Sequence, residues 1–245
     1  METNNTIEGK QLVFSPHRGF FSRLFFPLPK NSINVYDLFS RPAKKIWRQA
    51  GDSSEKLFLE LLKEKSVKKI LARLGVSNKD AEKFLQSYLK LKNSPYTSLD
   101  KVPFEAFSLA VKLHGHNINC LMLLGALLKH LPKDHVVQAL FDHTGLTLEN
   151  LELCIVWTHD LNYEFTPNSR EFKILYCCRQ AKYLEEHFGY NFELPAIEAA
   201  VEFSHKQTLK DLEHKKALQI LVKAGGLAKQ QKSKWVSKAL AKQAA

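Results

Sequence analysis

His159-Asp160 is the pair in this chain best suited to reactive chemistry. With a histidine upstream and an aspartate further on, a His-Asp pair can hold a divalent metal that activates water against a phosphoester. His114, His116 and His143 lie upstream, and the short run Ile155-Val156-Trp157-Thr158 precedes the pair. No Ser/His/Asp or Cys/His local motif accompanies it. Cys120, Cys154, Cys177 and Cys178 form no C-x-x-C pair, and the vicinal Cys177-Cys178 in a helical apolar run is poor disulfide geometry. They read as buried thiols of a reducing compartment.

Two further groups are suited to binding rather than catalysis. Phe20, Phe21, Phe25 and Phe26 are interleaved with Arg18 and Arg23 near the N-terminus. Aromatics with arginines supply both anchor and charge for a partner groove or a membrane interface. Lys232, Lys234 and Lys238 lead a lysine-rich C-terminus whose last segment, with Trp235, Val236 and Leu240, is basic and amphipathic. Lysine is a diffuse point charge that suits phosphate backbones or anionic lipid without sequence choice.

The elements that must carry these residues are helices. Glycine and proline are sparse in 245 residues, and 44% of the chain is apolar and 25% charged, an ordinary globular composition. Residues 1–31 read as an irregular aromatic and basic extension. From Val35 onward the helical period is plain: Val67, Ile70, Leu71 and Leu74 share one face and run into Gly75, a C′ residue. Asp52 with Glu55 reads as an N-cap and its N3 partner. The formal charge of +11 points to an anionic partner or a basic tail. The N-terminus has no secretory pattern and no apolar stretch is long enough to span a bilayer, so a cytoplasmic location is expected.

The chain also repeats itself. Ser53 to Leu62 aligns with Asn119 to Leu128 at a shift of 66 positions, and each copy is followed by a Gly stop, Leu74-Gly75-Val76 and Thr144-Gly145-Leu146. Two such helical units can bury their apolar faces on each other.

On these residues the chain resembles the Clp family of unfoldases. Ser53 to Leu62, Glu64-Lys65-Ser66-Val67 and Leu74-Gly75-Val76 are similar to the N-terminal-domain repeat G-T-E-H-L-L-L-G-L-L, E-x-S-V, L-G-V. Gly115-His116-Asn117-Ile118 is similar to the lead-in of the second repeat. Further on, Tyr183 to Tyr190, Ala196 to His205 and Lys216 to Leu221 with Ala224-Gly225 resemble the small helical lid that follows the first ATPase core. The resemblance implies an all-α chain: a duplicated four-helix repeat over 32–153, a linker at 154–170 and a lid-like domain at 171–228, while the lysines with Trp235, Val236 and Leu240 read as a basic amphipathic tail helix at 229–245. The core itself is missing: nothing reads G-x-x-x-x-G-K-[ST], and His214-Lys215 stands where the lid carries Pro-Asp.

In some Clp N-domains the repeat glutamates help read phosphorylated arginine. Glu55 holds that position in the first copy, whereas Leu121 replaces it in the second. The His-Asp pair also invites comparison with HD-type metal phosphohydrolases, but Leu161-Asn162-Tyr163 follows it in place of Gly-Lys. The expectation is therefore a non-catalytic accessory or adaptor protein with neither cofactor nor metal. Its partners would be an unfoldase, its protease or client proteins, bound through the aromatic segment and Glu55. The alternative is a basic module for nucleic acid or an anionic membrane surface.

Overall fold

The structure, a computed structural model, describes residues 6–7, 10–16, 30–91, 98–159, 166, 169–207 and 213–245. Among these residues the fold is all-α, with five very short strands. Helices α1 (Arg41–Ala50), α2 (Ser54–Lys63), α3 (Lys65–Arg73) and α4 (Asn78–Leu91) are followed by a second series. This comprises α5 (Val102–Lys112), α6 (Cys120–His130), α7 (Val136–Thr144) and α8 (Leu148–His159). Four more follow: α9 (Arg170–Phe188), α10 (Leu194–Gln207), α11 (Glu213–Gln230) and α12 (Lys238–Ala244).

The two series share their local punctuation. Ser53 and Asn119, the residues aligned by the 66-residue shift, are the N-caps of α2 and α6. Their side-chain oxygens accept from Lys56 N–H and from Leu121 and Met122 N–H. Each helix then stops on an extended residue, Glu64 (φ −75°, ψ 133°) and Leu131 (φ −68°, ψ 137°). The third helices end before Gly75 (φ +78°) and Gly145 (φ +67°). At the first of these, Val76 N–H reaches Leu71 O at 2.8 Å and Gly75 N–H reaches Ala72 O at 3.0 Å, a Schellman motif. The expected cap at Asp52 is displaced by one residue, because the Ser53 hydroxyl is the group that reaches the N3 amide.

The chain forms two compact units, one of Met1–Val67 and Phe84–Asp142, the other of Lys68–Lys83 and His143–Ala245. Their boundaries cut through the sequence segment 32–153, whereas 171–228 falls whole within the second unit. In the first unit α5 and α2 pack on α6, whose residues Cys120 to Leu128 are all buried, and α1 packs on α2. Leu57, Phe58, Leu61 and Leu62 form the buried stripe of α2, each such side chain contributing about 1.5–3 kcal/mol. The stretch expected to be irregular contributes strands instead. β1 (Thr6–Ile7) runs antiparallel to β2 (Lys10–Val13), which pairs in parallel with β3 (Ser32–Asn34). Phe14 then packs edge-on to Tyr36 at 5.9 Å and Trp47 at 5.2 Å.

In the second unit α10, α11 and α12 pack on one another, and α9 lies on α10 and α11. Small residues on α11, Ala217, Ala224 and Ala228, are fully buried and let the helices approach closely. A short parallel pair, β4 (Asn191–Phe192) with β5 (Trp235–Val236), closes the unit. The C-terminus is thus not one tail helix: α11 stops at Gln230, β5 pairs with β4, and α12 buries Leu240 and Ala241 in the unit's core. A helix through Trp235 and Val236 would forfeit that pairing and the full burial of Val236.

Candidate functional site

In the first unit the candidate residue Glu55 lies in a buried polar node. Its Oε2 accepts from the Ser53 hydroxyl at 2.9 Å and the Ser54 hydroxyl at 3.3 Å. His135 Nε2 lies 2.9 Å from Ser54 Oγ and 3.3 Å from Glu55 Oε1. A Ser, a His and a carboxylate within reach of one another resemble a nucleophilic triad, but the proton placement is wrong for one. Val137 N–H donates to His135 Nδ1 at 3.2 Å, so in the neutral ring Nε2 carries the hydrogen and donates toward Ser54. An imidazole in that tautomer cannot take the serine proton. Ser54 and His135 are both buried, so no substrate reaches them.

The electrostatics fit a structural node. Burial of His135 lowers its pKa below the ordinary value, outweighing the nearby Glu55 carboxylate. Burial alone would raise the Glu55 pKa, but its own backbone N–H, the Ser53 hydroxyl, the His135 charge and the Ser54 hydroxyl together bring it below the usual carboxylate value. Glu55 therefore ties the start of α2 to the residue that opens α7, and both its oxygens are taken. Leu121, its counterpart in the second series, is buried.

The second unit has a charged node. Arg73 donates through Nη1 to Glu185 Oε1 at 3.1 Å and through Nη2 to Glu185 Oε2 at 2.7 Å, both side chains being nearly buried. The guanidinium lies 3.7 Å from the Trp157 ring centroid, and Phe192 N–H donates to Glu185 Oε1 at 2.8 Å. Arg73 Nε, Trp157 Nε1 and Thr158 Oγ1 are buried without a hydrogen-bond partner among the described residues. No sequence motif announced this pair. Its one advance sign was an arginine at the edge of the apolar stripe of α3, next to Leu74.

Of the other candidates, His159 ends α8, and burial followed by the Lys69 charge lowers its pKa. Asp160 lies outside the described residues, among which no group of three His, Cys, Asp or Glu could hold a metal. All four cysteines are free and buried. Burial pushes the Cys120 and Cys177 thiols up to about 12 and raises Cys154 and Cys178 as well, which makes them poor nucleophiles. Phe20, Phe21, Phe25 and Phe26 lie outside the described residues.

Lys232, Lys234 and Lys238 are all exposed, with Lys232 left-handed at φ +53° where the chain turns out of α11 into β5. They stand at one end of the second unit, where Asn191 N–H donates to Lys234 O at 2.8 Å. A groove of about 240 Å³ in the same unit is lined by Arg170, Lys173, Val201, Glu202 and His205, and Arg170 is already paired with Glu198 at 3.2 Å. Among the described residues no helix is long and apolar enough to cross a membrane. No protein-family model, curated protein or solved structure matches the chain.

Proposed function

We propose that this chain is a non-catalytic accessory or adaptor of a Clp-type unfoldase–protease, binding the unfoldase or its clients. The observation that supports the reading best is the pair of four-helix series, α1–α4 and α5–α8, with N-caps 66 residues apart and matching glycine stops. A twin helical repeat of that kind suits capture of a protein partner, and the sequence carries no phosphate-binding loop through which the chain itself could use ATP. The test is direct binding of the purified chain to a purified Clp-type unfoldase hexamer by interferometry. Saturable binding that survives nuclease treatment supports the adaptor reading. Silence toward both the unfoldase and its peptidase overturns it.

One observation favours a second reading, a polyanion-binding module. Residues 215–245 contain eight lysines and no acidic residue, and Lys232, Lys234 and Lys238 are exposed. Nucleic acid recovered from a native-lysate pull-down, with no unfoldase or peptidase, would support this reading over the first.

A further inference from the structure

The second unit leaves aromatic rings in water in a pattern. Six large apolar side chains are exposed among the described residues: Val111, Phe172, Tyr176, Tyr183, Phe188 and Val222. Scattered singly, such residues are ordinary. Here four of the six lie on α9, with exposures of 42, 38, 58 and 53% for Phe172, Tyr176, Tyr183 and Phe188. At helical pitch Phe172, Tyr176, Tyr183 and His187 fall within an arc of about 60° and span about 22 Å of the helix. These rings therefore form a single row, from which Phe188, about 100° further round the helix, stands apart. Tyr183 and His187 already lie ring against ring, with centroids 3.9 Å apart.

The row borders the lysine-rich helix. Tyr176 meets His214 of α11 edge-on at 5.3 Å, and Tyr190, just past the end of α9, covers Gly225, where an added Cβ would fall 2.1 Å from the tyrosine hydroxyl. Those two contacts, early and late on both helices, set α9 and α11 side by side and parallel. The exposed side of α11 carries Lys215, Lys223 and Lys229, and no acid follows until the C-terminus. Arg179 is exposed within the ring row, while exposed Glu186 is an acid at its margin.

We propose that the α9–α11 face binds single-stranded nucleic acid, with bases stacked on the rings of Phe172, Tyr176 and Tyr183 and the backbone held by α11 lysines. Exposed rings match unpaired bases, because every base has a π-face, and a lysine flank free of acid matches a repeating phosphate. A duplex keeps its bases stacked inside and offers the rings nothing. A lipid surface calls for an unbroken apolar face that sinks among the headgroups, whereas exposed Arg179 interrupts this row and exposed Glu186 at its margin would meet anionic lipid unfavourably. The inference stands apart from the adaptor reading and sharpens the polyanion reading by naming a face and a ligand.

The test is fluorescence anisotropy of the whole chain with labelled oligo(dT) and oligo(rU) of about 15 nucleotides, at about 50 mM and about 300 mM salt. Expected is saturable binding that weakens with salt, with duplex of the same length bound more weakly. Phe172→Ala with Tyr183→Ala should raise Kd at least about ten-fold, while Tyr183→Phe, which keeps the ring, should bind as the unaltered chain does. Circular dichroism melts confirm that each variant is folded. Should the double variant fail to fold, Tyr176→Ala serves in its place. No saturable oligonucleotide binding at low salt overturns the proposal. So does binding of anionic phosphatidylglycerol vesicles, but not of oligonucleotide, that is lost with the rings. If the ring variants bind like the unaltered chain and only Lys232→Gln with Lys234→Gln and Lys238→Gln weakens binding, the stacking face is refuted and the lysine reading survives.

Discussion

The two units solve one problem with opposite chemistry. Each must hold an early helix to segments far along the chain, and each does so with a buried polar node. In the first unit Ser54, Glu55 and His135 link positions 81 residues apart through a ring held neutral by its burial. In the second, Arg73 and Glu185 link positions 112 residues apart through a bidentate ion pair roofed by Trp157. A network whose ring is neutral and whose carboxylate still meets water can lose the ring without stranding a buried charge. A buried ion pair that loses a member leaves a whole charge in low dielectric. The second node also retains two buried polar atoms without partners among the described residues, Arg73 Nε and Trp157 Nε1, so it is the less satisfied of the two.

The largest effect is therefore expected at Glu185. Glu185→Ala should lower stability by about 3–5 kcal/mol, because Arg73 is stranded and Phe192 N–H loses its acceptor. Hydrogen exchange should place the loosening in 68–83 and 143–245. Arg73→Met combined with Glu185→Leu should be much less destabilising than the sum of the single changes. If the double variant is the worst of the set, the pair contributes more than its desolvation removes, and the contrast between the nodes falls.

Next comes Leu61→Ala, at about 2–5 kcal/mol, since Leu61 is fully buried on α2 and the cavity has no solvent to fill it. The loss should appear in exchange of the first unit. A uniform loss across both units would mean that they unfold as one cooperative body.

What could be read from the sequence follows from how local each signal is. The stops at Gly75 and Gly145 are written in a few adjacent residues, and the 66-residue shift exposed the duplication that relates them; the cap of α2 reads from the sequence as Asp52, one residue before the Ser53 that makes it. The helical stripes through Leu61 and Leu71 follow from periodicity. The nodes were opaque, because nothing in the surroundings of His135 or Glu185 encodes a partner so distant in the chain. Glu55 was singled out for a binding role, and the structure turns both its oxygens inward. The aromatic row was missed for a different reason. Phe172 to His187 looks like any amphipathic helix until the buried side is known, and Ile174, Cys177, Cys178 and Ala181 take that side instead. The C-terminus was read as one helix because lysine and alanine favour helix. The β4 pairing that interrupts it is non-local.

His135→Asn should be milder, at about 1–3 kcal/mol, because the amide oxygen can keep Val137 N–H satisfied while the link to Ser54 and Glu55 is lost. It should also change the pH dependence. The folded pKa of His135 lies below the unfolded 6.5, so the unfolded chain binds the proton first and stability falls as pH drops below 6.5. Glu55, whose folded pKa is below 4.5, adds a further loss as pH falls below that value. His159 contributes the same sense in both proteins, so the difference between their melting curves across pH isolates the first node. The variant should lose less stability between neutral pH and pH 5 than the unaltered chain. Equal slopes would show that His135 does not titrate differently in the folded state.

The smallest effect is expected at the exposed end of the second unit. Lys232→Gln, Lys234→Gln and Lys238→Gln together should leave the melting temperature within about two degrees, because the contacts these residues make here are through the backbone. Lys234 O accepts from Asn191, and the Lys238 backbone N–H supports the Glu193 carboxylate, whose pKa burial raises. Glutamine keeps both. Lys232 is left-handed with or without its charge, so Lys232→Gly, which removes the steric penalty there, should raise stability by a few tenths of a kcal/mol up to about 1 kcal/mol. The pair of measurements separates backbone from charge. A melt lowered by the glutamines would mean that the lysine side chains hold the β4–β5 closure. An unchanged melt with weakened polyanion binding would assign those charges to a ligand and leave the second unit's stability to Arg73, Glu185 and the buried alanines of α11.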